Sequence, residues 1–206
     1  SFIKRAAPDE DPHTLGMALG SAASLASNLG NLDEAAALAR QARQTAHGGD
    51  LEALALAGRV AADLMVARGR PTQAIASLRR LLGLQVPEHA RAQLVSALGY
   101  ALIATDDLEG ARTVLQGHID TLRVDGDLDL LATALVNLSS VEIADKNIEP
   151  ARQAVTEGLE IADLLHDIET AAWLNNNLAL LQLTLGDVAA ARATYSTALD
   201  LVRAVE

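Results

Sequence analysis

The chain has 206 residues, half of them apolar but only four aromatic, and a formal charge of −11. Apolar content that is mostly Ala and Leu favours closely packed helices, and the lack of cysteine excludes disulfides, thiol catalysis and cysteine metal sites. The acidic balance, read as spread along the chain with no basic run, argues against binding nucleic acid or an anionic membrane surface.

Residues 1–11 show no helical period and read as a linker or an expression remnant, and a start at Ser1 suggests a piece of a longer chain. No apolar run approaches the ~18–20 residues that span a bilayer, and no secretory signal opens the chain, so a reducing, cytoplasmic setting is expected. Without such a signal the sequon Asn137-Leu138-Ser139 is read as chance.

From residue 12 onward the chain reads as helix pairs at 12–47, 50–84, 87–124, 127–166 and 167–205, together one all-α domain over 12–206. Five turn segments carry the period: Asn31-Leu-Asp-Glu-Ala35, Arg70-Pro-Thr-Gln-Ala74, Asp107-Leu-Glu-Gly-Ala111, Asn147-Ile-Glu-Pro-Ala151 and Asp187-Val-Ala-Ala-Ala191. Their closing alanines stand 39, 37, 40 and 40 residues apart, which marks a repeat architecture. Gly30, Gly69 and Gly186 precede three of the segments and can take the left-handed backbone that ends a helix. Asp, Asn or Pro then starts the second helix by capping it or presetting its first turn. The recurrent Ala would let the two helices of a pair approach closely.

Helical stripes flank these turns. Leu131, Leu135, Leu138 and Ile143 form one, Val155, Leu159, Ile161, Leu164 and Leu165 a second, and Leu174, Leu178, Leu181 and Leu185 a third. None alternates as a strand would. The joints between pairs carry turn residues: His47-Gly48-Gly49-Asp50, Val86-Pro87, Asp125-Gly126-Asp127 and His166-Asp167.

The stretch Asn177-Leu178-Ala179, Gly186-Asp187, Ala191, Tyr195 and Ala198-Leu199 resembles a tetratricopeptide repeat (TPR). Asn137-Leu138-Ser139 with Ala151, and Ala97-Leu98-Gly99 with Ala111, resemble it less completely, and the first two repeats read as degenerate. The resemblance implies a right-handed α-α superhelix, a solenoid of about five helix pairs. Units longer than the commonest ~34 residues are similar to those of kinesin light chains and of sensor regions in large bacterial transcriptional regulators of the maltose-activator type.

In that family the concave face is lined mainly by the first helix of each pair. Carried over, the groove positions are Arg59, Gln93, Ser96, Tyr100, Asn137, Ser140, Trp173, Asn176 and Asn177, with Asp63 and Thr133 beside them. Asparagines placed like Asn137 and Asn177 often hold a peptide backbone in the family, because a carboxamide both donates and accepts. The alternative is that they cap or bridge neighbouring helices. Trp173 is either a binding anchor or a core residue, Tyr100 packs partly between helices, and Arg59 and Asp63 are spaced for an i,i+4 ion pair. The family's carboxylate clamp is not expected, since Gly20, Ser24, Val60, Gln93 and Ala97 stand where its Lys, Asn and Arg residues would be.

Catalytic chemistry is not expected. The histidines at 13, 47, 89, 118 and 166 make no ligand spacing, and His47 and His166 fit helix C-termini. Asp125-Gly126-Asp127-Leu128-Asp129 is a turn, not a calcium loop. Glu142 and Asp145 have no evident acid-base partner, and no phosphate loop, nucleophile elbow or cofactor motif appears. The last helix carries Leu199, Leu201, Val202 and Val205 with nothing after them, so further repeats or a homodimer through that end are expected. The expected function is a module binding a peptide, a partner segment or a small ligand, as the sensor region of a larger bacterial regulator. Its rivals are a structural scaffold and an accessory region of an enzyme.

Overall fold

The computed structural model describes residues 11–46 and 49–203, which form ten α-helices and no strand. Most of the 1–11 segment, the joint residues His47 and Gly48, and Val205 lie outside the described residues. The chain divides into two compact units, 1–105 and 106–206, with the division in the turn of the third pair. The first unit holds α1 (Pro12–Asn28), α2 (Leu32–Thr45), α3 (Leu51–Ala67), α4 (Pro71–Leu82) and α5 (Glu88–Ile103). The second holds α6 (Leu108–Asp125), α7 (Leu128–Ala144), α8 (Ile148–Leu165), α9 (Ile168–Thr184) and α10 (Val188–Arg203).

In each unit a first helix lies among several neighbours: α3 packs on α1, α2, α4 and α5, and α7 on α6, α8 and α9. That is why α7 buries residues around much of its circumference, from Leu130 to Glu142, whereas α8 buries one face through Ala151, Ala154, Val155, Gly158, Ile161 and Ala162. The recurrent alanines Ala35, Ala74, Ala111, Ala151 and Ala191 are all at most 1% exposed. A larger side chain there would push the paired helices apart. The α9 stripe stops short of the expected reach: Leu174 and Leu181 are buried, but Leu185 is the residue that caps the helix end and is exposed.

All five within-pair turns share one left-handed residue. Gly30, Gly69 and Gly186 take it with φ between 70° and 82°, and Asp106 and Lys146 take the same place with φ of 62° and 60°. The Asn147 N–H then reaches back to the Glu142 carbonyl at 2.8 Å, as the Asn31 N–H does to Ala26 at 2.9 Å, closing the helix end. A side chain in this backbone region carries a steric cost that glycine avoids. Lys146→Gly is therefore expected to raise stability by about 0.5 kcal/mol, net of the entropy glycine adds to the unfolded chain, measured by urea denaturation.

Helix starts depart from the expectation in one respect. Asp50, Asp107, Asp127, Asp167 and Asp187 each accept a hydrogen bond from the backbone N–H three residues on. Asn31 and Asn147 make no such cap. The Asn147 carboxamide turns instead to Glu142 and Asp145, at 2.8 and 3.0 Å.

Candidate functional site

The nine expected groove residues divide between the two units. On α3, Arg59 donates to Asp63 and to Ser24 of α1, both at 3.0 Å, which is the i,i+4 pair its spacing suggested plus a tie to the neighbouring helix. Burial pushes the Asp63 carboxyl above its ordinary range, and Arg59 offsets part of that. On α5, Gln93 sits with its amide nitrogen 2.9 Å from His89 Nε2, and Ser96 is half-buried. Tyr100, expected partly between helices, is 55% exposed.

The second unit gathers the other five. Asn137 and Ser140 of α7 and Trp173, Asn176 and Asn177 of α9 line one open hollow of about 660 Å³, together with Thr133, Val136 and Leu180. Helical periodicity produces this convergence: positions 137 and 140, and 173, 176 and 177, fall on one face of their helices, and α7 lies directly against α9. Trp173 is 57% exposed, so its ring is a surface of the hollow rather than a core filler.

The two aligned asparagines behave differently. Asn137 donates to the Thr133 carbonyl of its own helix at 3.0 Å. Asn177 is 4% exposed, and its amide nitrogen faces the Val136 carbonyl, Ser139 Oγ and Ser140 Oγ at 3.0, 2.8 and 2.9 Å. Asn177 thus bridges α9 to α7 and forms the floor between them. Ser140 donates to Val136 in turn, at 3.0 Å. The faces left toward the hollow belong to Trp173 and its neighbours.

Trp173 also forms the edge of a second hollow, of about 490 Å³, between α9 and α10. Here Ile168, Tyr195, Leu199 and Val202 make an apolar lining, and Glu169 and Asn176 are shared with the first hollow. Tyr195 was legible only as the spaced aromatic of the repeat; that it stands across from Trp173 depends on how α10 packs. Leu201, counted in the apolar end stripe, is half-buried, and the exposed members are Leu199 and Val202.

Glu142 and Asp145 are paired with an arginine rather than with an acid-base group. Arg112 of α6 meets Glu142 with two bonds, at 2.8 and 3.1 Å, and also contacts Asp145 and Glu109. These three acids hold the guanidinium pKa well above its ordinary value, Glu142 most of all. The cluster is an ionic tie between helices. Among the described residues no three His, Asp or Glu gather as metal ligands, and no helix is long and apolar enough to cross a membrane.

Charge is not spread evenly. The first unit has ten Lys and Arg against nine Asp and Glu, the second six against eighteen, so the net negative charge belongs to residues 106–206.

Comparison with known proteins places the repeat. The tetratricopeptide repeat model matches residues 16–41, 92–116 and 172–196, each match spanning the turn of a helix pair. The first pair therefore matches although it reads as degenerate, and the fourth, which reads as closer, does not. Among curated proteins the chain has no match. BtubC (BKLC) from P. vanneervenii is similar in structure, with 20% identity, a TM-score of 0.70, and coverage of 94% of this chain and 82% of that one. A putative kinesin light chain from Podosopora anserina with TPR-like repeats gives 14%, 0.64, 93% and 96%. A Rap protein complexed with Competence and Sporulation Factor gives 15% and 0.77, over 95% of this chain and 54% of that one. At these identities the likeness is one of fold.

Proposed function

On the premise that the chain is built of tetratricopeptide repeats, we propose that it is a protein-interaction module whose α7–α9 hollow holds a peptide or an extended segment of a partner. The observation that carries this reading is the convergence of Asn137, Ser140, Trp173 and Asn176 on one open concavity. An exposed indole beside carboxamides and a hydroxyl provides an apolar anchor next to donors and acceptors for a peptide backbone. The acidic second unit favours a segment that brings a positive charge. The likeness to a Rap protein solved in complex with Competence and Sporulation Factor supports such an occupant. On this proposal the module would serve as the sensor region of a larger bacterial regulator.

Affinity capture from host extract, with the intact chain and Trp173→Ala/Asn176→Ala side by side, tests the reading. A segment retained by the intact chain should bind the variant at least ~10-fold more weakly, the usual effect of truncating an aromatic anchor. Equal retention would remove the groove from consideration.

The exposed apolar edge of Leu199 and Val202 favours a second reading, assembly through the α9–α10 face with a second copy or a further repeat. Light scattering of Leu199→Asp should then show a smaller species than the parent chain. An unchanged mass would leave this face to the peptide.

A further inference from the structure

The strongest feature outside the α7–α9 groove lies in the first unit. A hollow of about 290 Å³ opens among α2, α3 and α4. Its floor is apolar and small, made by Ala57, Gly58, Ala61, Leu64 and Leu81. Here α3 and α4 come together at a glycine: a Cβ on Gly58 would stand 2.2 Å from Leu81 Cδ1.

Five arginines line this hollow, Arg40, Arg43, Arg68, Arg70 and Arg80, and no Asp or Glu does. Arg68 is held by Asp33 at 2.7 Å. The other four make no ion pair or side-chain hydrogen bond with a described residue. Like charges gathered at a concavity with apolar walls focus a positive potential there. Nor is this the by-product of a basic protein, since the chain carries −11 overall and eight of its fourteen arginines fall between residues 40 and 91.

We propose that this hollow docks an internal acidic peptide segment that seats one apolar side chain on the floor between α3 and α4. Guanidinium forks match carboxylates geometrically, and four that have no ion-pair partner among the described residues stand around the rim. A small inorganic anion would leave the apolar floor uncovered. A nucleic acid would need a longer basic track, and the rest of the chain would repel it. The volume suits one large side chain with its flanks outside, the arrangement of an anchor within a polar rim. The site is formed by α2, α3 and α4 and includes neither Trp173 nor Asn176, so it shares no residue with the groove.

Fluorescence anisotropy of the full chain tests it, using a labelled decapeptide with blocked ends and one central leucine flanked by glutamates. Arg40→Gln/Arg43→Gln/Arg80→Gln, checked for folding by circular dichroism, should weaken binding at least ~10-fold, and affinity should fall as salt rises. Ala61→Leu keeps every charge but fills the floor, and it should weaken binding ~5-fold, as should serine in place of the peptide's leucine. Trp173→Ala should leave the affinity unchanged. No binding by the parent chain, equal binding by the triple variant, indifference to the leucine, or displacement by equimolar inorganic phosphate would each overturn the proposal.

Discussion

Arg112→Ala is expected to lower the stability of the second unit by about 3 kcal/mol, the cost of leaving a buried charge without its partner. Glu142 is 3% exposed and sits where α7 ends, with both carboxylate oxygens directed at the Arg112 guanidinium. Asn147 can still donate one hydrogen bond, but a neutral amide does not balance a desolvated charge. Urea denaturation followed by circular dichroism checks the loss. Arg112→Met combined with Glu142→Leu separates pair from burial. If the pair serves position rather than stability, the double variant should recover most of the loss. A double variant as unstable as the single would instead locate the deficit in packing around α6.

Asn177→Asp should cost about 2–3 kcal/mol although it changes one amide to a carboxylate of the same shape. The substitution removes the N–H groups that face the Val136 carbonyl and the Ser139 and Ser140 hydroxyls, and sets a negative charge against a carbonyl oxygen. Both hydroxyls already donate to the Val136 carbonyl, so they must turn away from it to meet the new acceptor. Burial would raise the pKa of the introduced carboxyl above its unfolded value. Its ionised form then opposes folding, so the deficit should be full above the folded pKa and should shrink as pH falls through it. Denaturation midpoints at several pH values read this directly. A deficit that does not vary with pH would mean that water reaches the site. Because Asn177 holds α9 to α7, a variant there would confound loss of binding with loss of the groove, and Asn176 is the cleaner probe.

Both predictions rest on polar groups whose role the linear sequence does not reveal. Asn177 aligns with Asn137 at a spacing of one repeat, and position alone treats the two alike. They differ because α7 lies beside α9 and supplies Val136, Ser139 and Ser140 to the later asparagine, while Asn137 turns back to Thr133. Arg112 and Glu142 stand thirty residues apart, so their bond exists only once α6 packs on α7. In the same way the turn of the third and fourth pairs gives no glycine to read, and Asp106 and Lys146 nonetheless take the left-handed place because the two helices on either side impose it.

What the sequence determined by itself was everything that depends on local backbone preference and on period. The Ala- and Leu-rich composition, the alanines near every fortieth residue and the Asp and Pro starts specify ten helices in pairs, since these are short-range effects that each segment carries within itself. The family resemblance also implied groove positions for Asn137, Ser140, Trp173 and Asn176, and the packing of α7 on α9 gathers these four at one hollow. Which polar groups are buried and matched was decided only by tertiary structure, through contacts across thirty or forty residues. The same holds for the apolar floor beneath four arginines of the first unit: Arg40, Arg43, Arg70 and Arg80 come from three separate stretches of chain, and only the packing of α2, α3 and α4 makes one hollow of them.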